Sequence, residues 1–372
     1  MRYLTEAIRK DLAKKMVLLG GPRQVGKTTL AQEILSETTG HYFNWDLAEN
    51  KEAILKGRWR ADEKLLVLDE LHKYPKWKNW IKGYFDTQKK EHQFLVTGSA
   101  RLDVYRRGGD SLLGRYHFWR LHPFTLSEIP AGISDKEALE RLMKVGGFPE
   151  PFLDNSETEA RRWRRERFDR VLRDDVRDLE HLKDIQSLAL LVELLRKRVG
   201  GPIVVSNLAE DLQVSPITVK RWLEVLEKMY LIFIVRPFTK NLARAIQKPP
   251  KIYFFDNADV SGDQGAVFEN LVATHLLKKI HFLEDSTGFR YELRYIRDKD
   301  GREVDFAILK DGKLEQLIEA KYSDQNVATS LSYYAEKLKP AKATQIVAVL
   351  KKSYTKNKLE VLSPLEALKS LR

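Results

Sequence analysis

Gly21-Pro22-Arg23-Gln24-Val25-Gly26-Lys27-Thr28 is the stretch on which the reading of this chain turns. It has the spacing G-x-x-x-x-G-K-[ST], follows the apolar run Met16–Leu19 and opens the helical run Thr28–Ser36, which is the strand–loop–helix setting the pattern requires. The glycines let the backbone curl until its N–H groups face phosphate oxygens. The helix that starts near Gly26 adds the positive end of its dipole. Lys27 is expected to reach the β- and γ-phosphates, and the Thr28 hydroxyl to ligate Mg2+. Residues Gly21, Pro22, Arg23, Gln24, Val25, Gly26, Lys27, Thr28 and Thr29 are therefore expected to hold ATP.

Outward from this loop, Leu65-Leu66-Val67-Leu68-Asp69-Glu70 reads as a strand buried on both faces that ends in two carboxylates. Ligands of open α/β sheets bind at the carboxyl ends of the strands. Asp69 is expected to hold Mg2+, through water, and Glu70 to orient and deprotonate the attacking water. Phe94-Leu95-Val96-Thr97-Gly98-Ser99 is a further apolar strand with a polar end. There Thr97 or Ser99 either senses the γ-phosphate or satisfies its own turn backbone. With Tyr42–Trp45 and Tyr116–Trp119 as further strands and Asn79–Lys89 as a helix, the alternation predicts a parallel sheet covered by helices.

The 372 residues are too many for one ordinary core and imply two to four domains. No cysteine is present, which excludes disulfides and cysteine-ligated metal sites. The N-terminal run MRYLTEAIRKDLAKK reads as an amphipathic helix, not a signal peptide. The densest apolar runs, Leu65–Leu68 and Tyr230–Val235, are too short to span a bilayer, so the expectation is a cytoplasmic protein with no membrane partner. A net charge of +12 suits a polyanion such as DNA as well as a merely solvated surface.

GPRQVGKTT, LLVLDELHKYPKWKNWIK, FLVTGSARL, LLGR, PFTLSEI and GGFPEP together resemble the AAA+ ATPases that carry a C-terminal domain of unassigned function, the AAA_14/DUF4143 type, over nearly the whole chain. The resemblance implies a polar sensor at the end of the Phe94–Thr97 strand. It also implies an arginine just before the fifth strand, where Arg115 stands. Such an arginine often reaches the γ-phosphate of a neighbouring subunit, which would make the protein a homo-oligomer. The alternative is that Arg115 caps its own helix C-terminus.

Beyond the ATPase core, expected over residues 1–130, residues 131–185 read as a charged helical lid. Its run 158–177 is either a salt-bridged boundary helix or a phosphate-contacting one. Residues 186–240 read as a winged helix–turn–helix. Ser206 is expected to cap a short helix Asn207–Leu212, a turn to follow at Gln213–Val214, and Ser215-Pro216 to open a second helix. That second helix is expected to bury Ile217, Trp222, Leu223, Val225 and Leu226, with Thr218, Lys220 and Arg221 as candidate DNA contacts; a protein-docking role is the alternative.

Residues 241–350 place Glu269 in a helix Val267–Leu277, Asp305 in a strand Glu303–Leu309, and Glu319 and Lys321 on a strand after a hairpin turn at Asp311-Gly312. This layout resembles the PD-(D/E)xK nuclease core. There Asp305, Glu319 and Glu269 would hold Mg2+, and Lys321, on the same strand face as Glu319, would orient or deprotonate water; the alternative is that Lys321 makes a simple ion pair on a sheet face. Residues 351–372 read as a tail with a last helix from Pro364. The expectation is thus an α/β multidomain protein: a P-loop AAA+ ATPase core, a helical lid, a winged helix–turn–helix and a C-terminal α/β nuclease-like domain. It is either a DNA-processing ATPase or a nucleotide-switched regulatory or protein-remodelling one.

Overall fold

The computed structural model describes residues 2–98, 112–172, 185–239, 248–324 and 326–369, so Ser99, one of the two sensor candidates, lies outside the described residues. Two compact units hold the chain, Met1–His122 and Pro123–Arg372.

In the first unit, five strands, β1 (Met16–Gly20), β2 (Gly40–Asn44), β3 (Leu65–Asp69), β4 (Gln93–Thr97) and β5 (Tyr116–Arg120), form one parallel sheet in the order β2-β3-β4-β1-β5. Every residue of β1 and β3 is buried, as continuous apolar runs demand when both faces of a sheet are covered. The covering helices include α1 (Thr5–Leu12), α2 (Lys27–Leu35), α3 (Ala48–Lys56) and α4 (Trp77–Gln88). Helix α3 is absent from the sequence reading because it buries only Ile54 and has no side-chain cap, so it writes no apolar stripe. The order of strands puts β4 between the other two key strands: Thr97 lies opposite Leu19 of β1 on one side and Asp69 of β3 on the other.

In the second unit, eight strands form a sheet in the order β12-β13-β11-β10-β9-β8-β6-β7. Their ranges are β6 Ile232–Pro237, β7 Lys251–Phe254, β8 Tyr291–Arg297, β9 Glu303–Lys310, β10 Lys313–Lys321, β11 Lys342–Val347, β12 Tyr354–Lys356 and β13 Leu359–Leu362. Strands β8, β9 and β10 are an antiparallel meander. The turn from β9 to β10 is the expected one, with Asp311 and Gly312 both at positive φ as a type I′ hairpin requires. β11 runs parallel to β10 after the crossover helix Thr329–Leu338. Where the sequence reads as a tail, β12 and β13 extend the sheet before the expected helix, Pro364–Lys369.

Among the described residues, the helices that precede this sheet in the chain are α5 (Asp135–Lys144), α6 (Pro149–Asp154), α7 (Glu157–Arg170), α8 (Ile185–Arg196), α9 (Val205–Asp211) and α10 (Pro216–Lys228). Two expectations need correction. Helix α9 begins at Val205, with Val204 in the capping position, so Ser206 lies inside the helix. Ile217 is 78% exposed, and Val219 takes the inward place, because Val219, Trp222, Leu223 and Leu226 share one helical face and Ile217 lies round the other side. The long helix α11 spans Gln264–Thr287, well beyond the expected Val267–Leu277. Its ends are written in Asp263, whose carboxylate accepts from the Ala266 N–H at 2.8 Å, and in Gly288 at φ 76°.

Candidate functional site

The loop 21–26 is bent by three residues at positive φ, Gly21 (142°), Gln24 (61°) and Gly26 (94°), and helix α2 starts at Lys27. A side chain at position 21 is excluded, since a Cβ there would stand 2.4 Å from the Leu121 carbonyl oxygen. The buried Lys27 ammonium lies along the loop and donates to the Pro22 and Gly21 carbonyls at 2.6 and 3.1 Å. Arg2, which the sequence does not single out, holds the loop from outside: its guanidinium donates to Val25 O (2.9 Å) and to His122 O (2.6 Å).

Three hydroxyls meet on Asp69. Thr28 Oγ1 donates to Asp69 Oδ2 at 2.9 Å, Tyr42 donates to the same oxygen at 2.6 Å, and Thr97 donates to Oδ1. Burial, reinforced by the Asp69 carboxylate, pushes the Tyr42 phenol well above its ordinary value, so it remains a donor. Tyr42 is a residue that motif reading misses, because it enters from β2 with no spacing rule to announce it. Thr28 and Asp69 offer only oxygen donors, the ligand class Mg2+ prefers, so the residues present fit that ion.

Glu70 follows in a left-handed conformation at φ 57°. Burial raises its carboxyl above the usual range although Lys73 and Lys27 pull the other way. Arg115 makes a bidentate pair with Asp86 of α4, at 2.7 and 3.0 Å, and only a long 3.4 Å contact to the Leu113 carbonyl.

In the second unit, two of the carboxylates singled out from the sequence, Glu269 and Asp305, converge with Glu303 on an ammonium that the sequence reading does not include. Lys251 of β7 is 0% exposed, and its Nζ lies 2.6 Å from Glu303, 3.2 Å from Glu269 and 3.3 Å from Asp305. Burial alone would depress this lysine, but Glu269, Asp305 and Glu303 outweigh it and hold it above the usual lysine range. Tyr253, also from β7, donates to Glu269 at 2.6 Å.

Asp305 Oδ2 accepts from the Ala320 N–H (3.0 Å), and Glu319 accepts from the Asp305 N–H (3.3 Å) and pairs with Lys321 (2.8 Å). Burial, then the charge of Asp305, pushes Glu269 and Glu319 each up to about 7. Of the three acids expected to share Mg2+, Glu269 and Asp305 are therefore gathered, with Glu303, around the Lys251 ammonium, while Glu319 pairs with Lys321. No group of three or more His, Asp or Glu among the described residues is arranged to hold a metal ion.

The candidate DNA contacts lie on α10, where Ser215 caps the helix by accepting the Thr218 N–H at 3.1 Å. The Thr218 hydroxyl is hydrogen-bonded to Ser215 Oγ at 2.9 Å, while Lys220 and Arg221 are exposed. Within the arginine-rich α7, Arg167 is buried, with its guanidinium 4.0 Å above the Phe148 ring and 3.9 Å from Asp259; that residue is structural.

Comparison with known families defines the class. Residues 13–130 match the family described as an AAA domain, residues 264–368 a domain of unknown function, DUF4143, and residues 136–259 another, DUF8612. The chain thus carries an AAA-type domain joined to a C-terminal α/β region of the DUF4143 type.

Among curated proteins it is similar to the uncharacterized protein Rv2008c of Mycobacterium tuberculosis, 26% identical over 249 residues, 65% of this chain and 54% of that one. It is similar also to the uncharacterized protein MJ1544 of Methanocaldococcus jannaschii, 23% identical over 91% of this chain and 82% of that one. The chain spans about half the length of the mycobacterial relative, the 54% just given. Among solved structures, a RuvB variant of Thermotoga maritima is 20% identical with a TM-score of 0.31, covering 66% of this chain and 91% of its own. The Orc1 protein of Aeropyrum pernix in complex with DNA is 14% identical with a TM-score of 0.34, covering 73% and 93%. No helix among the described residues is long and apolar enough to cross a membrane.

Proposed function

We propose that the first unit binds and hydrolyses Mg-ATP and that its nucleotide state switches a nucleic-acid-facing second unit. The observation that carries the ATPase reading is the 2.9 Å contact between Thr28 and Asp69, which joins the helix that follows the phosphate loop to the acidic strand β3, with β4 the one strand between β1 and β3 in the sheet. In this reading the loop N–H groups and Lys27 hold the triphosphate, and Thr28 and Asp69 hold magnesium. Magnesium would draw charge from the phosphates. Glu70, at the end of the acidic strand and with its carboxyl raised by burial, is the group that would take a proton from water. Thr97 keeps Asp69 oriented, and Arg115 serves a neighbouring subunit only if it leaves Asp86.

The test is steady-state ATP hydrolysis together with nucleotide binding. Lys27→Ala is expected to abolish both. Glu70→Gln is expected to keep binding while turnover falls about 10²–10⁴-fold, the usual worth of a general base. Full turnover by either variant rejects the assignment.

For the second unit the basic chain and the exposed Lys220 and Arg221 support nucleic acid as partner. Its carboxylates are nuclease-like in layout. The ammonium among them favours a regulatory or docking role over cleavage. Incubation with single- and double-stranded DNA, with Mg2+ and with or without ATP, is expected to give binding without cutting. Mg2+-dependent cutting that disappears in Asp305→Ala and Lys321→Ala would instead establish the cleaving enzyme.

A further inference from the structure

We propose that Lys251 is the resident cation of the Glu269–Glu303–Asp305 cluster and that it keeps divalent metal out. The inference rests on reading that cluster as nuclease-like in layout, and it is independent of ATP hydrolysis.

Geometry carries the argument. The Lys251 ammonium stands within 3.3 Å of an oxygen of all three carboxylates. A magnesium or manganese ion on the Glu269 and Asp305 oxygens, about 2.1 Å from each, would sit close beside that ammonium in a buried place, where like charges are poorly screened. The ion would have to compete with a tethered cation at full effective concentration.

Lys251 is buried and its backbone is held on both sides. Its backbone pairs with Val235 on one side and with Pro202 on the other. Its neighbour Pro250 accepts the Ile203 N–H at 2.7 Å, and its Nζ lies 5.6 Å from the Tyr295 ring centre. Across the cluster, Gly200 (φ 79°) is packed so closely on Glu269 that a Cβ there would be 2.7 Å from the carboxylate. Charges close the account: Arg297 adds a second cation to Glu303 at 2.8 Å, and the neighbouring acid Glu319 is matched by Lys321 at 2.8 Å. A lone buried ammonium would be strongly destabilising; three carboxylates offset its desolvation, and it offsets theirs.

The experiment is Mn2+ binding to the full chain without nucleotide, followed by the electron paramagnetic resonance of free Mn2+. In wild type, Glu269→Gln and Asp305→Asn are expected to leave the bound Mn2+ unchanged. Lys251→Met is expected to gain one bound Mn2+ per chain, lost again when Asp305→Asn is added. A wild-type Mn2+ site that vanishes in Asp305→Asn overturns the proposal, and so does a folded Lys251→Met protein with no gained site. Should Lys251→Met fail to fold by circular dichroism, the wild-type comparison with Asp305→Asn decides alone. Absence of DNA cutting combined with a wild-type Mn2+ site here would defeat this inference while leaving the docking reading intact.

Discussion

Asp69 shows how a single carboxylate is fixed before any ligand arrives: Thr28, Tyr42 and Thr97 donate to it from a helix and from the two strands flanking its own. His275 in α11 is an equally determined residue. Its Nε2 accepts the Leu126 N–H at 3.0 Å, so Nδ1 carries the proton and donates to Leu271 O at 2.8 Å. Burial, with the charge of Lys278 acting in the same sense and the Leu271 bond opposing, depresses this imidazole to about 3. Below its ordinary value of 6.5 the unfolded chain takes up a proton that the folded chain refuses. Stability from this group is therefore present above pH 6.5 and lost as pH falls towards 3. His275→Gln should flatten the acid slope, so that urea midpoints at pH 7.5, 6 and 5 converge relative to wild type. Parallel slopes in the two proteins would refute it.

At the scale of elements, the segments PFTLSEI and GGFPEP turn out to be structural. Leu126 and Glu128 fasten the first to α11 through His275 and the buried Lys278. In the second, Gly146 sits at φ 86° with Asp256 so close that a Cβ would meet its Oδ1 at 1.9 Å, and Pro149 opens α6. Gly146→Ala is expected to cost about 1–3 kcal/mol, combining left-handed strain with displacement of a buried carboxylate. A thermal midpoint within one degree of wild type would contradict this. Legibility followed the same line. The nucleotide loop, the acidic strand and the Asp311-Gly312 hairpin were readable because each is local chemistry at fixed spacing. Lys251, Tyr42 and Arg2 were not, since each reaches its site from a distant part of the chain with no motif. The β12–β13 hairpin also escaped: it turns on Asn357 and Lys358, both at positive φ, where a glycine would have announced it.

For the whole molecule, the +12 charge makes a measurable statement only through salt. If the outer face of α10 meets DNA, affinity should fall steeply between 50 and 200 mM salt. Lys220→Ala with Arg221→Ala should then reduce the slope of log K against log salt by about 2, one for each lost phosphate contact. An unchanged slope would place the contact elsewhere. The eight-stranded sheet carries a consequence of another kind. Because β6 pairs with β8 and β7 brings Lys251, the C-terminal region borrows both a neighbouring strand and its neutralising charge from sequence well upstream of residue 264. A truncated polypeptide starting at that residue would bare the β8 margin and strand Glu269, Glu303 and Asp305 without their counter-ion, inviting aggregation through the uncovered strand. Anyone excising this region for separate study would do well to begin the cut before Ile232, the first residue of β6.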